Sequence, residues 1–250
     1  MKKKILALAL VVVLAVTAVT GATLAYFTDK DAAENVFTTG NVDITLDEVF
    51  DPEEAKLLPG IDIQKEVKVT NVGSENAFVR VHIAIPSMLD SGSKDEPQFA
   101  AYNNTLHWNF TLASTADGLW NWNADANGAG YPGNGGTWNM YEQEVGGILY
   151  NVYVATYETA LAKDQQTADN AITKVYLDAT VDGVTNADNS VTYKDTKGNT
   201  VTLTKDQLNG FGIHIVAEGT QIDTFANAYE ALNTAFGVPG TYNPWAPPTT

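Results

Sequence analysis

Apolar and polar residues alternate along most of the chain after residue 37. This period of two predicts β-strands, because successive side chains of a strand point to opposite faces. The segments with this pattern are 37–46, 61–70, 78–85, 148–159, 171–181, 191–193, 201–203 and 211–217. In 78–85 the valines and isoleucines share one face, while Arg80 and His82 lie on the other. Segment 148–159 is apolar on both faces, which is typical of a strand covered on both sides.

A helical pattern occurs near the end of the chain, where aromatic and leucine residues recur at a period close to 3.6. These residues are Phe225, Tyr229, Leu232 and Phe236. Asp223 or Thr224 is predicted to start this helix and Gly237 to end it. Since strands and helices do not alternate, the pattern predicts an all-β protein of two packed sheets with one short C-terminal helix.

The middle of the chain, residues 86–147, has a different composition, rich in Gly, Asn, Asp, Ser, Tyr and Trp. Its length predicts a loop-rich insertion that carries some strand of its own. The insertion holds four tryptophans: Trp108, Trp120, Trp122 and Trp138. Exposed, these rings would suit contact with a glycan or a protein; buried, they would pack the insertion onto the sheet, which is the commoner role.

The N-terminus has the features of an export signal. Three lysines, at positions 2–4, precede an apolar run over residues 5–20, which is short for a membrane span. Small residues before the cut favour cleavage between Ala25 and Tyr26, with a cut after Ala22 as the alternative. Residues 1–25 are therefore predicted to be a secretory signal peptide that meets a signal peptidase during export.

Charge and cysteine content narrow the function classes. The formal net charge is −16, and loss of the signal lysines would leave the mature chain more acidic still. Such a charge argues against nucleic acid as a partner, since like charges repel. The chain has no cysteine, so an exported form must be held together by its core alone.

No catalytic or metal-binding motif occurs in the sequence. The three histidines, His82, His107 and His214, are widely separated, and no H-E-x-x-H is present. His82 and His214 would share a site only if their two strands were neighbours. Neither a G-x-S-x-G nor a phosphate-binding loop occurs. The expectation is therefore no catalytic residue, no metal and no cofactor.

Several blocks of the sequence together carry a family resemblance: residues 25–29, 35–40, 42–46, 58–60, 67–74, 77–85, 213–221 and 225–237. In these blocks the chain resembles the TasA/camelysin family of exported Gram-positive proteins. The resemblance implies processing by a SipW-type signal peptidase, a jelly-roll β-sandwich at residues 41–237 and a location in the extracellular matrix or at the cell surface. Residues 238–250 would form a Pro-rich tail.

The resemblance also implies a structural function. The mature N-terminal segment, residues 26–40, would act as a donor strand that completes the sandwich of the next subunit, giving a head-to-tail fibre of this chain with accessory matrix proteins as further partners. The donor residues would be Tyr26, Phe27, Thr28, Val36, Phe37 and Thr38. For a single subunit the alternative is that this segment folds back as an edge strand of its own domain. Two other functions stay open, a camelysin-like metallopeptidase and a glycan-binding adhesin.

Overall fold

The structure is a computed structural model. It describes residues 28–32, 42–50, 59–90, 92, 105–110, 120–126, 137–188, 190–194, 200–204, 212–222 and 225–246.

The described residues form fourteen β-strands and one α-helix. The strands are β1 (Thr28–Ala32), β2 (Ile44–Val49), β3 (Ile63–Gln64), β4 (Glu66–Asn71), β5 (Ala77–Pro86), β6 (Leu106–Phe110), β7 (Trp120–Asn121), β8 (Met140–Val145), β9 (Ile148–Leu161), β10 (Ile172–Leu177), β11 (Asp182–Thr185), β12 (Val191–Lys194), β13 (Thr200–Leu203) and β14 (His214–Gln221); the helix is α1 (Ala228–Phe236). Every segment with the alternating pattern overlaps at least one of these strands. The predicted all-β class is confirmed.

The main sheet has six strands in the order β1-β14-β5-β9-β7, with β8 also paired to β9. Its strand pairs are antiparallel. β5 and the middle of β9 are buried on both faces. This confirms the interpretation of the apolar segment 148–159 as a strand covered on both sides.

A second layer is built from two smaller sheets, the pair β2-β4 and the order β3-β10-β6. Backbone hydrogen bonds join them, since Ala171 donates to Val67 at 2.8 Å and Lys65 donates to Thr173 at 3.1 Å. Both layers contribute valine and isoleucine side chains to one buried cluster, which includes Ile44, Val67 and Val69 from the second layer and Val79, Val81 and Ile83 from the main sheet. The molecule is therefore a β-sandwich.

Helix α1 covers the outer face of the main sheet, in contact with β5, β9 and β14. The start predicted at Asp223 or Thr224 is wrong, because Asn227 caps the helix and its side chain accepts a hydrogen bond from the Glu230 N–H at 2.9 Å. The Glu230 carboxylate accepts in return from the Ala226 N–H at 3.1 Å, so the two side chains form a reciprocal cap. The predicted end is confirmed, with Gly237 at φ 100°.

The segment 86–147 supplies strands to both layers. β6 pairs with β10 in the second layer, while β7 and β8 pair with β9 in the main sheet. A separate antiparallel sheet, β11-β12-β13, lies farther along the chain. Its Tyr193 is buried, and the hydroxyl of Tyr193 donates to the Met88 carbonyl at 3.4 Å.

Candidate functional site

β1 is an edge strand of the main sheet. Its register with β14 runs from Thr28 opposite Thr220 to Ala32 opposite Val216. Among the described residues, no strand pairs with the other side of β1. In the single chain this part of the N-terminal segment therefore lies in its own domain.

β14 is the strand with which β1 pairs. It pairs with β5 over its whole length, from His214 opposite Ala84 to Gln221 opposite Ala77. At Gly219 the second layer comes so close that an added Cβ would lie 2.9 Å from Cγ2 of Ile44. Without β1, the backbone groups of β14 that face away from β5 would form an open pairing edge.

The opposite edge of the main sheet is arranged differently. There β9 is covered by β7 at one end and by β8 at the other. Glu142 and Glu144 of β8 are exposed. Charged residues on an edge strand discourage pairing with a further strand. One edge of the main sheet is thus formed by β1, and the other carries the acidic residues of β8.

A buried arginine lies on the outer face of the main sheet, beside β14. Arg80 is 1% exposed, and its Nε donates to Glu218 of β14 at 2.7 Å. Nη1 donates to the Asn233 side chain at 2.8 Å, while Nη2 donates to the Gly237 carbonyl at 3.0 Å and to the Tyr242 hydroxyl at 2.6 Å. One side chain thereby connects β5, β14, helix α1 and the segment that follows the helix.

Glu218 is the acceptor at the centre of this network. Its Oε2 also accepts from the Tyr242 hydroxyl at 2.6 Å and lies 3.2 Å from Nε2 of His82. Burial alone would raise the pKa of Glu218, but the charge and hydrogen bond of His82, together with Arg80 and Tyr242, outweigh it and hold this pKa below its ordinary value. The carboxylate therefore stays ionised in a site where it is fully buried.

Aromatic side chains surround His82 on several sides. Its ring makes edge contacts with Tyr141, Tyr242 and Trp245 at centroid distances of 6.0, 6.1 and 6.4 Å. Nδ1 of His82 also lies 3.0 Å from the Tyr141 hydroxyl. Burial raises the pKa of Tyr141 and Tyr242, and the negative charge of Glu218 raises both further. These tyrosines therefore remain neutral.

The C-terminal segment 237–246 packs on this outer face. Tyr242 and Trp245 are partly buried and Pro244 is buried. Gly240, at φ 84°, passes so close to β8 that an added Cβ would lie 2.9 Å from Cβ of Tyr141. The described part of the predicted Pro-rich tail is thus ordered against the sheet. Residues 247–250 lie outside the described residues.

The three histidines do not combine into a metal site. β5 and β14 are neighbours, as a composite site of His82 and His214 would require. However, His82 contacts Glu218, His107 lies 2.7 Å from Asp178, and Nε2 of His214 lies 3.1 Å from the Tyr150 hydroxyl. Within the described part of the chain no group of three or more His, Asp or Glu side chains could hold a metal ion. This donor set does not fit a catalytic zinc, which needs three protein ligands.

The four tryptophans of segment 86–147 lie in the core. Their exposed fractions are at most 2%. Trp108 packs against Trp122 and Tyr153 at centroid distances of 5.5 and 4.9 Å, and Trp120 against Tyr157 at 5.1 Å. Trp138 lies 6.2 Å from Trp122. Their ring faces are therefore not available to stack on a sugar, and they attach this segment to the sheets.

The structure describes only part of the predicted assembly site. Thr28 lies in β1, whereas Tyr26, Phe27, Val36, Phe37 and Thr38 lie outside the described residues, as does the predicted cleavage site between Ala25 and Tyr26. Sequence reasoning missed the network of Arg80, Glu218 and Tyr242. A signal was present in the two strands concerned, since Arg80 lies between Val79 and Val81 and Glu218 directly follows the apolar residues 215–217.

A comparison with known families gives a match over the N-terminal part of the chain. Residues 1–113 match the family model described as camelysin metallo-endopeptidase. The resemblance to the camelysin family is confirmed over these residues. The camelysin match includes β1 to β6 and therefore Arg80, His82 and His107, while Glu218 and Tyr242 lie beyond it. No curated protein and no solved structure gives a significant match to the chain. Among the described residues, no helix is long and apolar enough to cross a membrane.

Proposed function

We propose that this chain is an exported structural protein that assembles head to tail into extracellular fibres by exchanging its N-terminal strand. The observation that carries the proposal is the position of β1, a strand near the chain terminus that is paired with β14 at the edge of the main sheet. A second copy could supply the same strand in the same antiparallel register. The exchange would replace an intramolecular pairing with an identical intermolecular one.

The connection between β1 and the body of the domain is long enough for exchange. Residues 33–43 link β1 to β2, and a chain of this length reaches up to roughly 36 Å when extended. This reach is several times the spacing of about 5 Å between neighbouring strands, so the length of the link does not confine β1 to the edge of its own sheet. If each subunit gives its strand to one copy and receives a strand from a different copy, the contact is head to tail and propagates as a filament, whereas a reciprocal exchange between two copies would close into a dimer.

The two edges of the main sheet favour assembly at β14. β8, at the other edge, exposes Glu142 and Glu144, which oppose the addition of a strand there. With one edge protected and the other exchangeable, growth would follow one direction rather than branch into aggregates.

The proposal includes export before assembly. Residues 1–25 would be removed by a signal peptidase, so that the mature chain begins at Tyr26 outside the cell. It would then reside in the extracellular matrix or at the cell surface, with further copies of itself as the main partner and accessory matrix proteins as others. The camelysin match over residues 1–113 supports this assignment, since the match includes the predicted signal and donor segments.

The experiment compares the mature chain beginning at Tyr26 with a truncation beginning at Gly40, by negative-stain electron microscopy after concentration near neutral pH. Two full-length variants accompany them, Lys30→Pro and Lys30→Ala. Lys30 lies opposite Glu218 in the middle of β1. Proline in this strand disturbs backbone pairing, whereas alanine removes the same side chain and keeps the N–H.

Filaments are expected for the mature chain and for Lys30→Ala, and are expected to be absent for the truncation and for Lys30→Pro. Filaments from the chain beginning at Gly40 would show that assembly does not use the N-terminal strand. If none of the four proteins forms filaments, β1 serves only its own domain and the fibre function is wrong.

The printed description of the matching family offers a second candidate, a metal-dependent endopeptidase. It is the weaker candidate, because the arrangement of His82, His107 and His214 described above provides no three-ligand site among the described residues. We therefore propose that the chain is not an enzyme.

A further inference from the structure

β14 is held from two directions, along its edge and on its outer face. On its free edge it pairs with β1 through the backbone. On its outer face Glu218 receives hydrogen bonds from Arg80 and Tyr242, at 2.7 and 2.6 Å. Arg80 belongs to β5, whereas Tyr242 belongs to segment 237–246, which follows helix α1.

Tyr242 occupies a special place in this arrangement because its hydroxyl is bonded to both members of the buried ion pair. It donates to Oε2 of Glu218 and accepts from Nη2 of Arg80, each at 2.6 Å. Hydrogen bonds to charged groups are stronger than those between neutral groups. Loss of this one oxygen would therefore weaken the hold on β14 and on β5 together.

The end of helix α1 is hydrogen-bonded to the same buried ion pair. Arg80 donates to the carbonyl of Gly237 at 3.0 Å and to the side chain of Asn233 at 2.8 Å. A cation at the C-terminus of a helix is also favoured by the helix dipole. The segment 237–246 is consequently attached to the sheet at a charged centre and not only by apolar packing.

We infer that segment 237–246 is a latch that positions β14 for its edge partner, with Tyr242 as the positioning residue. A β14 strand that is fixed on its outer face presents its backbone N–H and C=O groups in one orientation, which a pairing strand requires. The importance of the latch for fibres rests on the function proposed above. Its effect on the pairing of β1 within a single chain does not depend on that function.

The test uses the full mature chain and two tyrosine variants. Tyr242→Phe removes the latch hydroxyl, whereas Tyr229→Phe removes a partly buried hydroxyl of helix α1 that lies 3.5 Å from the Asn123 carbonyl and outside the Glu218 network. Hydrogen–deuterium exchange is followed in the monomer at low concentration for peptides that cover β1, β14, β9 and β10. Filament yield is measured separately at high concentration.

Tyr242→Phe is expected to speed amide exchange in β1 and β14 about tenfold, the size expected for the loss of one hydrogen bond to a charged group. Exchange in β10 of the second layer should stay unchanged. Tyr229→Phe should leave β1 and β14 as in the parent chain. An equal increase in all strands would mean general destabilisation, and no increase would mean no latch; either result overturns the inference.

The two readouts separate this inference from the proposed function. If the exchange pattern is as expected but the parent chain forms no filaments, the latch stands and the fibre function is wrong. If the parent chain forms filaments while Tyr242→Phe changes neither exchange nor filament yield, the fibre function stands and the latch is wrong.

Discussion

At the scale of single residues, the chain uses a buried ion pair where most proteins would place apolar side chains. Arg80 and Glu218 are 1% and 0% exposed. Removing two charges from water costs more than their attraction returns unless further hydrogen bonds satisfy both groups. Arg80 has further acceptors in Asn233 and Gly237, while Oε2 of Glu218 also accepts from Tyr242 and lies 3.2 Å from His82. The pair therefore specifies which elements meet on the outer face.

We expect Arg80→Met to lower the free energy of unfolding by about 3–5 kcal/mol, since it leaves the Glu218 carboxylate buried without its cation. Adding Glu218→Gln to this variant should recover part of the loss, because the uncompensated charge is then removed. Urea unfolding followed by tryptophan fluorescence measures both values.

An exposed ion pair provides the matched control. Nζ of Lys174 lies 2.6 Å from Asp62, with side-chain exposures of 35% and 55%. Lys174→Met should cost no more than about 1 kcal/mol, as is usual for solvated pairs. If Arg80→Met and Lys174→Met lower the free energy of unfolding by similar amounts, the buried network stabilises the fold no more than an exposed ion pair does.

At the scale of elements, the two edges of the main sheet decide how the molecule can associate. β1 and β8 both leave one side of their backbone unpaired by any described strand. β8 differs because Glu142 and Glu144 are exposed along it. Unprotected edge strands are templates for pairing with other chains, and charge is a common means of protection.

The double variant Glu142→Thr/Glu144→Thr is expected to associate at concentrations at which the parent chain stays monomeric, since threonine favours strands and removes the edge charges. Sedimentation velocity measures the association. The control variant Glu75→Thr/Asp125→Thr removes two charges from exposed turn positions and should behave as the parent chain. Equal association of both variants would attribute the effect to net charge and not to the β8 edge.

At the scale of the whole molecule, the fold gives the three histidines separate partners and places His107 in a different layer from the other two. His82 lies on the outer face of the main sheet, whereas His107 lies in β6 of the second layer and is stacked on Tyr176 at a centroid distance of 4.9 Å. His214 is held by Tyr150 near the start of β14. Burial lowers the pKa of His214, and the charge of Lys65 lowers it further.

We expect the purified mature chain to bind no stoichiometric zinc and to show no chelator-sensitive cleavage of casein. The physical reason is that each histidine contacts a separate partner and that the described residues contain no group of three side chains that could hold a metal ion. Metal content measured by mass spectrometry and casein assays with Zn²⁺ or EDTA provide the check. One zinc per chain, together with EDTA-sensitive cleavage that His82→Asn abolishes, would contradict the expectation.

Local patterns anticipated much of the fold. The period of two located nine of the fourteen described strands but not β1, β6, β7, β8 or β11. The double-sided apolar pattern of 148–159 correctly indicated burial on both faces of β9. The helix and its end at Gly237 also followed from the sequence. The helix start did not, because Asn227 competes as an equally good cap closer to the first apolar turn.

The latch could not be predicted in the same way. The alternation in 78–85 places Arg80 and His82 on the face opposite the valines, but no local pattern indicates that helix α1 and segment 237–246 bury that face. Tyr242 appeared only as part of a Pro-rich tail. The four tryptophans allowed both a surface and a core role, and only their packing around Tyr153 and Tyr157 shows the core role.

The sequence by itself determined where most of the strands and the body of the helix form, because hydrophobic period and capping residues act between near neighbours along the chain. Only the tertiary structure decided that β1 lies beside β14 and that Arg80 meets Glu218 and Tyr242, which are 138 and 162 positions away in sequence. Contacts at such separations depend on how the layers stack and on which edge remains open. They are properties of the assembled sandwich and not of any one segment.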